Sequence, residues 1–450
     1  MNYDDSLAFC RNLTVFGMNL GLSRIRELSR LALGSLPWGS RFIQVAGTNG
    51  KGSTAAILAA MINASGQACG LFTSPHLEDY RERCRIGDSL ISREDFAFVI
   101  TELAPLWQQM AQEGWDPPTE FEVSTAAALR YFQLKAVPWA VMEAGLGGEF
   151  DSTNIVPSEI AIITNIGHDH RQYLGETLTE IAQAKAGIIK PGALVITGAK
   201  GEALEVIRAK AQEQNSELLV LGEDFTCSQE SRSETGQYFS WSWQDRISEL
   251  CQSQETRKEQ KYPNLDLKSQ ISNLFLPLLG RHQLDNAALA LAAGSYLGLP
   301  EAALRQGLGE VCWPGRLEIA GRRPLLLLDG AHNPEGMAVL AGALGEYWPN
   351  VRKIGLIGML DDKEREEALK QILPQLEGVV ITRAARERGE NWKNLENICL
   401  EAGLPVLAEE NIGVALSKAR DLAGQEDIVI VCGSLFLIGE VKKLCQSHLS

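Results

Sequence analysis

The chain has 450 residues, 45% of them apolar and 22% charged, which excludes wholesale disorder and leaves room for two or three domains of ~150 residues each. Lys plus Arg number 42 against 57 Asp plus Glu, a formal net charge of −15, so no nucleic-acid partner is expected from a field of this sign. Nine cysteines with no C-x-x-C pair or zinc spacing, no run near ~18 apolar residues and no basic-then-apolar leader predict a soluble cytoplasmic protein with free thiols and no membrane contact.

In chain order, residues 42–46 (FIQVA) read as a buried strand, followed by a glycine-rich turn and an apolar helix over about 53–63. A strand restarts at 70–73 and a helical pattern covers 122–134. Strands follow at 139–144 (WAVMEA) and 160–165 (IAIITN). An amphipathic helix over 178–189 stops at Pro191-Gly192, before a strand at 194–197. Strands spaced by helices imply βαβ units and a mostly parallel sheet. From 227 to 268 the composition turns to Ser, Gln, Glu and Lys with interleaved aromatics, which fits either an antiparallel excursion on the domain edge or a mobile insertion. Helical periodicity returns over 286–296.

A second α/β series starts near Pro324, with strands at 325–329, 354–358, 379–382 and 428–432 and a helix after Pro334. Trp313-Pro314-Gly315 punctuates the chain between the two series and is the expected hinge. Two α/β domains are therefore expected, 1–311 and 312–450, with no internal repeat.

The sharpest local signal is V-A-G-T-N-G-K-G-S at 45–53, between a strand and a helix. Gly47, Gly50 and Gly52 let backbone N–H groups of the loop, Thr48 and Asn49 included, approach a polyphosphate at a helix N-terminus. Lys51 is placed for the β/γ-phosphates and Ser53 for a bound Mg²⁺. The loop departs from G-x-x-x-x-G-K-[ST]: Val45 takes the first glycine position and Gly52 separates the lysine from the serine.

That variant loop resembles the one of the Mur-ligase superfamily of ATP-dependent amide ligases. Further segments narrow the resemblance to folylpolyglutamate synthase and the bifunctional dihydrofolate synthase. They are T-S-P-H-L at 73–77, E-A-G-L-G-G at 143–148, D-S-T-N at 151–154, T-N-I-G-H-D-H at 164–170 and K-A-G-I at 185–188. H-Q followed by Asn286-Ala287, then P-G-R at 314–316 and D-G-A-H-N-P at 329–334, complete the series in family order, with a weaker echo at Cys432-Gly433-Ser434. The resemblance implies an α/β fold with an N-terminal P-loop ATPase-like domain on a mostly parallel sheet and a smaller C-terminal Rossmann-like domain.

It also implies residue roles. Ser53, Ser74, Glu143 and His170 would hold Mg²⁺, with two ions expected in all. Lys185 matches a lysine that is often carbamylated in the superfamily, bridging to the second ion. Asn286 and Arg316 match ATP-contacting positions; Asp329 and His332 would close over the nucleotide, His332 at the transferred phosphate. Lys51, Lys185 and His332 are the catalytic candidates. Phe121, Glu122, Ser434 and residues 80–83 fit a pterin or glutamate pocket and fit equally a helix start, a strand end and a charged loop. His168 stands where an apolar or small residue is expected.

The implied reaction is ATP-dependent addition of L-glutamate to a folate or dihydropteroate through an acyl phosphate, by a monomer. Nothing in the binding segments separates dihydropteroate from a reduced folate as acceptor. Rival readings are a Mur-type ligase acting on another carboxylate and a P-loop switch protein that drives a partner. The first would normally carry a further N-terminal domain, for which a loop starting at Gly47 leaves no room; the second does not need the strand-end pair Glu143 and His170.

Overall fold

The computed structural model describes all residues except 17–20, 35–38, 245–269, 361–363, 385–390 and 448–450. Eight strands form the first sheet: β1 (Arg41–Ala46), β2 (Cys69–Phe72), β3 (Cys84–Ile86), β4 (Ser89–Leu90), β5 (Trp139–Glu143), β6 (Ser158–Ile163), β7 (Leu194–Thr197) and β8 (Glu217–Val220). Their spatial order is β4-β3-β2-β5-β1-β6-β7-β8; only β3, near one edge, runs against the others, pairing antiparallel with both β2 and β4. β1 and β5 are almost wholly buried, as in a parallel sheet covered on both faces, and the one polar residue buried within β1, Gln44, donates to Thr153 Oγ1 at 3.0 Å.

The helix Lys51–Ala64 buries Ala55, Ile57, Leu58, Met61 and Ile62, and the helix Arg281–Tyr296 packs beside it, buried along Ala287–Gly294 with Arg281 and Asp285 exposed near its start. Stretches apolar all round have no wet face, so both lie inside the molecule. The 227–268 segment contributes most of β9 (Phe225–Ser233) and all of β10 (Gly236–Trp243) to an antiparallel sheet completed by β11 (Gln270–Leu276), ordered β11-β10-β9. Phe225, Phe239, Trp241 and Trp243 bury against the same core, so the alternating aromatics are an inward sheet face. Residues 245–269 of that stretch lie outside the described ones.

The second series builds β12 (Glu318–Arg322), β13 (Leu325–Leu328), β14 (Lys353–Ile357), β15 (Gly378–Ile381), β16 (Val406–Ala408) and β17 (Ile428–Cys432), ordered β12-β13-β17-β14-β15-β16. β12 pairs antiparallel with β13 and the rest are parallel. The molecule is thus mixed α/β, with a large parallel-dominated sheet first and a second mixed sheet after it.

Several element ends differ from the sequence expectation, the largest shift being the helix expected from 286, which begins at Arg281. The helix after β1 starts at Lys51, since Gly50 at φ 81° serves as its left-handed N-cap. The helix expected over 178–189 ends at Ala186. The helix expected from 122 begins at Glu120, because Thr119 and Glu122 form a capping box, a T-x-x-E signal legible in the sequence.

Candidate active site

β2, β5, β1 and β6 are side-by-side parallel strands, so the segments leaving their C-terminal ends converge. Ser74, Glu143, the 47–53 loop and His170 come from those four ends, where ligands bind in open parallel sheets. Gly47 has φ +146°, and a Cβ on it would stand 1.9 Å from Thr164 Oγ1; Gly50 would push a Cβ to 2.2 Å from Asn286 Oδ1. These glycines therefore serve bend and close packing at once.

The loop is laced to the exit of β6. Thr48 N donates to Asn165 O at 3.0 Å, Asn49 N to Asn165 Oδ1 at 2.9 Å, and Thr164 Oγ1 to Asn49 O at 2.6 Å. With the helix starting at Lys51, the amides of its first turn are open to an anion. Lys51 Nζ folds back onto Gly47 O at 3.0 Å and Thr48 O at 3.1 Å. Ser53 Oγ is buried with no hydrogen-bond partner among the described residues.

Glu143 is 5% exposed at the end of β5, and burial pushes its carboxyl up to about 7 against the pull of Lys51 and Arg316. Ser74 N donates to its Oε2 at 3.0 Å. Lys185, also buried, donates from Nζ to Gly47 O at 2.8 Å. Burial first, and then the like charge of Lys51, brings its amine down to about 7, so much of it is neutral at physiological pH. His170 lies seven residues beyond β6, at φ 51°, as N-cap of the short helix Arg171–Leu174.

From the second sheet, His332 Nδ1 lies 2.7 Å from Gly330 O, and its Nε2 lies 3.9 Å from Asp169 Oδ2. Asn333 Nδ2 donates to Asn49 Oδ1 at 3.2 Å and to Asp169 Oδ2 at 3.1 Å, joining the phosphate loop, the exit of β6 and the end of β13. Asp329 is buried, with Oδ1 accepting from Ala331 N and Oδ2 from Leu317 N, both at 2.8 Å, so it braces the segment that carries Arg316 and His332. Arg316 lies against Gly330 and acts on the charge of Glu143. Asn286 Nδ2 donates to Gln283 Oε1 at 2.9 Å while its Oδ1 abuts Gly50.

Phe121 presses on the loop after β5: a Cβ on Gly145 would come 2.5 Å from its ring. Glu122 turns away from the expected pocket. Its Oε2 accepts from Thr119 N at 2.7 Å and from Arg24 Nε at 3.2 Å, a buried ion pair that fixes the start of a helix. Ser434 Oγ accepts from Phe436 N at 3.2 Å at the start of the C-terminal helix, again a local backbone role. Residues 80–83 form a turn in which Tyr80 and Arg83 both bond Glu120, with Arg83 Nε donating to His76 Nδ1 at 3.1 Å. His168 donates its backbone N–H to Glu335 Oε1 at 2.8 Å.

The residues missed at the sequence level are Asp169, Asn165 and Asn333. All three stand inside the quoted segments, where the histidines drew attention; Asp169 and Asn333 meet across the two sheets, while Asn165 ties the exit of β6 to the loop after β1.

The oxygen-rich set of Ser53, Ser74 and Glu143 with His170 fits a hard cation that keeps much of its shell as water and phosphate. Among the described residues no group of three or more His, Cys, Asp or Glu side chains is placed to hold a metal ion. The unpartnered Ser53 Oγ is the observation that fits this assignment. Among the described residues no helix is long and apolar enough to cross a membrane.

The Mur ligase middle domain model matches residues 45–294, and the Mur ligase glutamate ligase domain model matches 315–435. The chain is 32% identical over 449 residues to the dihydrofolate synthase/folylpolyglutamate synthase of Bacillus subtilis, covering 98% of each. It is 34% identical over 446 residues to a probable bifunctional folylpolyglutamate synthase/dihydropteroate synthase of Haloferax volcanii; the alignment takes 98% of this chain and spans half (50%) of that relative. Among solved structures, Escherichia coli FolC in complex with DHPP and ADP superposes with a TM-score of 0.85 at 28% identity, covering 100% of this chain and 99% of that one. With both ligase domains matched and full-length relatives aligned end to end, the chain belongs to the Mur ligase family, in its folylpolyglutamate synthase/dihydrofolate synthase branch of ATP-dependent ligases.

Proposed function

We propose that the chain forms an amide bond between a folate-type carboxylate and L-glutamate at the expense of ATP, extending tetrahydrofolate and converting dihydropteroate to dihydrofolate. The observation that carries this reading is the 47–53 loop, where Lys51, Lys185 and the unpartnered Ser53 Oγ gather on one sheet and Asn333, beside His332, ties in the other. The two domains, 1–311 and 312–450, would then each supply part of one site. The solved relative that carries DHPP and ADP supports the ligand classes.

A carboxylate is a poor electrophile. Its oxygen attacks the γ-phosphorus of ATP, the bond to ADP breaks, and an acyl phosphate forms. The α-amine of glutamate then attacks the acyl carbon and phosphate leaves. The first-turn amides, Lys51 and Arg316 hold the phosphates and offset their charge, and His332 sits where the transferred group passes between the domains. Mg²⁺, held by Ser53, Ser74, Glu143 and His170, would supply charge neutralisation at the phosphates. The half-neutral amine of Lys185 is the form that can react with CO₂, which supports its carbamylation. Phe121, whose ring tip meets Gly145 after β5, supports a pterin pocket on that side of the loop.

The test is ATP- and Mg²⁺-dependent incorporation of labelled L-glutamate, with 7,8-dihydropteroate and tetrahydrofolate offered separately. Incorporation with both establishes the bifunctional enzyme, and with tetrahydrofolate alone a chain-extending synthase. Incorporation with neither, in protein that still binds ADP, overturns the folate reading in favour of another carboxylate.

A further inference from the structure

The three loop glycines do not share one reason for being glycine. Gly47 and Gly50 have positive φ, whereas Gly52 has no such conformation and lies within the first turn of a regular helix. There alanine is favoured over glycine by roughly 1 kcal/mol when nothing intervenes. What intervenes is the indole of Trp313. A Cβ on Gly52 would stand 2.7 Å from Cζ2, 3.2 Å from Cε2 and 3.3 Å from Nε1 of that ring. The ring also packs on the core that holds the helix Lys51–Ala64, and its centroid lies 5.6 Å from Cζ of Arg85, on β3. Three residues further on, Arg316 reaches Gly330 and the field of Glu143.

We propose that Trp313 is a positioning residue of the nucleotide site: its indole occupies the volume of a side chain at 52 and so sets the first turn, with Lys51 and Ser53, relative to Arg316 and the second sheet. The glycine that stands at the [ST] position of G-x-x-x-x-G-K-[ST] in this loop is the imprint of that ring. Movement of the segment joining the two sheets therefore reaches the phosphate loop through this ring contact, beside the Asn333–Asn49 hydrogen bond. The inference rests on the loop binding nucleotide, which ADP binding by the unaltered protein checks separately.

The experiment is a double-mutant cycle of Gly52→Ala and Trp313→Leu. It reads the ADP dissociation constant by calorimetry, KM for ATP and kcat, with thermal melting of each variant. Gly52→Ala in the native background lowers kcat/KM for ATP by about 100-fold, the scale of a ~1 Å misplacement. In the Trp313→Leu background the same substitution costs about tenfold less, because the clashing ring is gone. Should Trp313→Leu fail to fold, Trp313→Phe provides the same cycle with a smaller ring. Equal losses in both backgrounds would overturn the proposal, as would a Gly52→Ala variant that melts lower while keeping its ADP affinity and KM. No ADP binding by the unaltered protein would instead remove the nucleotide reading beneath it.

Discussion

Two buried carboxylates stand at equivalent places in the two sheets, Glu143 at the end of β5 and Asp329 just past β13, and they are held in opposite ways. Glu143 has one backbone donor, Ser74 N, and burial raises it to about 7. Asp329 has a backbone amide on each oxygen, so its hydrogen-bonding capacity is committed to the frame that places Arg316 and His332. The same contrast separates Ser53, whose buried Oγ has no partner among the described residues, from Ser434, whose Oγ caps a helix. The first sheet keeps polar capacity in reserve at its C-terminal edge; the second uses its own to hold shape. A site that receives a nucleotide needs open polar capacity, and the frame beside it needs a fixed shape.

The strongest way to break this comparison is at Lys51. Lys51→Ala removes a charge from the phosphate loop while leaving both sheets intact. It should lower kcat for glutamate ligation on the order of 10³-fold with an unchanged melting temperature; an effect below tenfold would remove Lys51 from the machinery. Glu122 tests the other side. Arg24→Met strands its carboxylate in the core and should destabilise the fold by about 3 kcal/mol, read from denaturant midpoints, with KM for folate unchanged in the folded fraction. A shift in KM without loss of stability would return Glu122 to the substrate pocket.

Lys185 sharpens the comparison through pH. Its amine titrates at about 7 folded against an ordinary 10.5, so between these values the unfolded chain binds a proton that the folded chain lacks. Stability therefore rises with pH across that window, by up to about 1.4 kcal/mol per unit, and the penalty is fully present below pH 7. Lys185→Met should remove that slope in metal-free, CO₂-free buffer; an unaltered slope would show that the amine is not held neutral. The smallest effect is expected at Ser434→Ala, about 1 kcal/mol from loss of a helix cap, with kcat and KM unchanged.

The sequence was most legible where chemistry is local. The apolar runs of β1, β5 and β7, the glycine loop and the ordered motifs follow from neighbours in the chain, so their places were read to within a residue or two. Less legible were groups whose partners are distant in sequence. Glu122 has the same appearance as a pocket carboxylate or as the partner of Arg24 98 residues away, and only folding selects. Asn333 gave no local sign that it spans 284 residues to Asn49. The Trp313–Gly52 contact was equally hidden, although the glycine at the [ST] position was plain.

By itself, then, the sequence determined the fold class, the glycine-rich turn between β1 and its helix, and the family, since backbone preference, hydrophobic period and motif spacing act within a few residues. Only the tertiary structure decided which polar groups remain unsatisfied and which are tied down. Burial and hydrogen-bond partnership depend on what other strands bring to the same point, and that sets Glu143 and Lys185 near neutrality while Asp329 and Glu122 hold the frame.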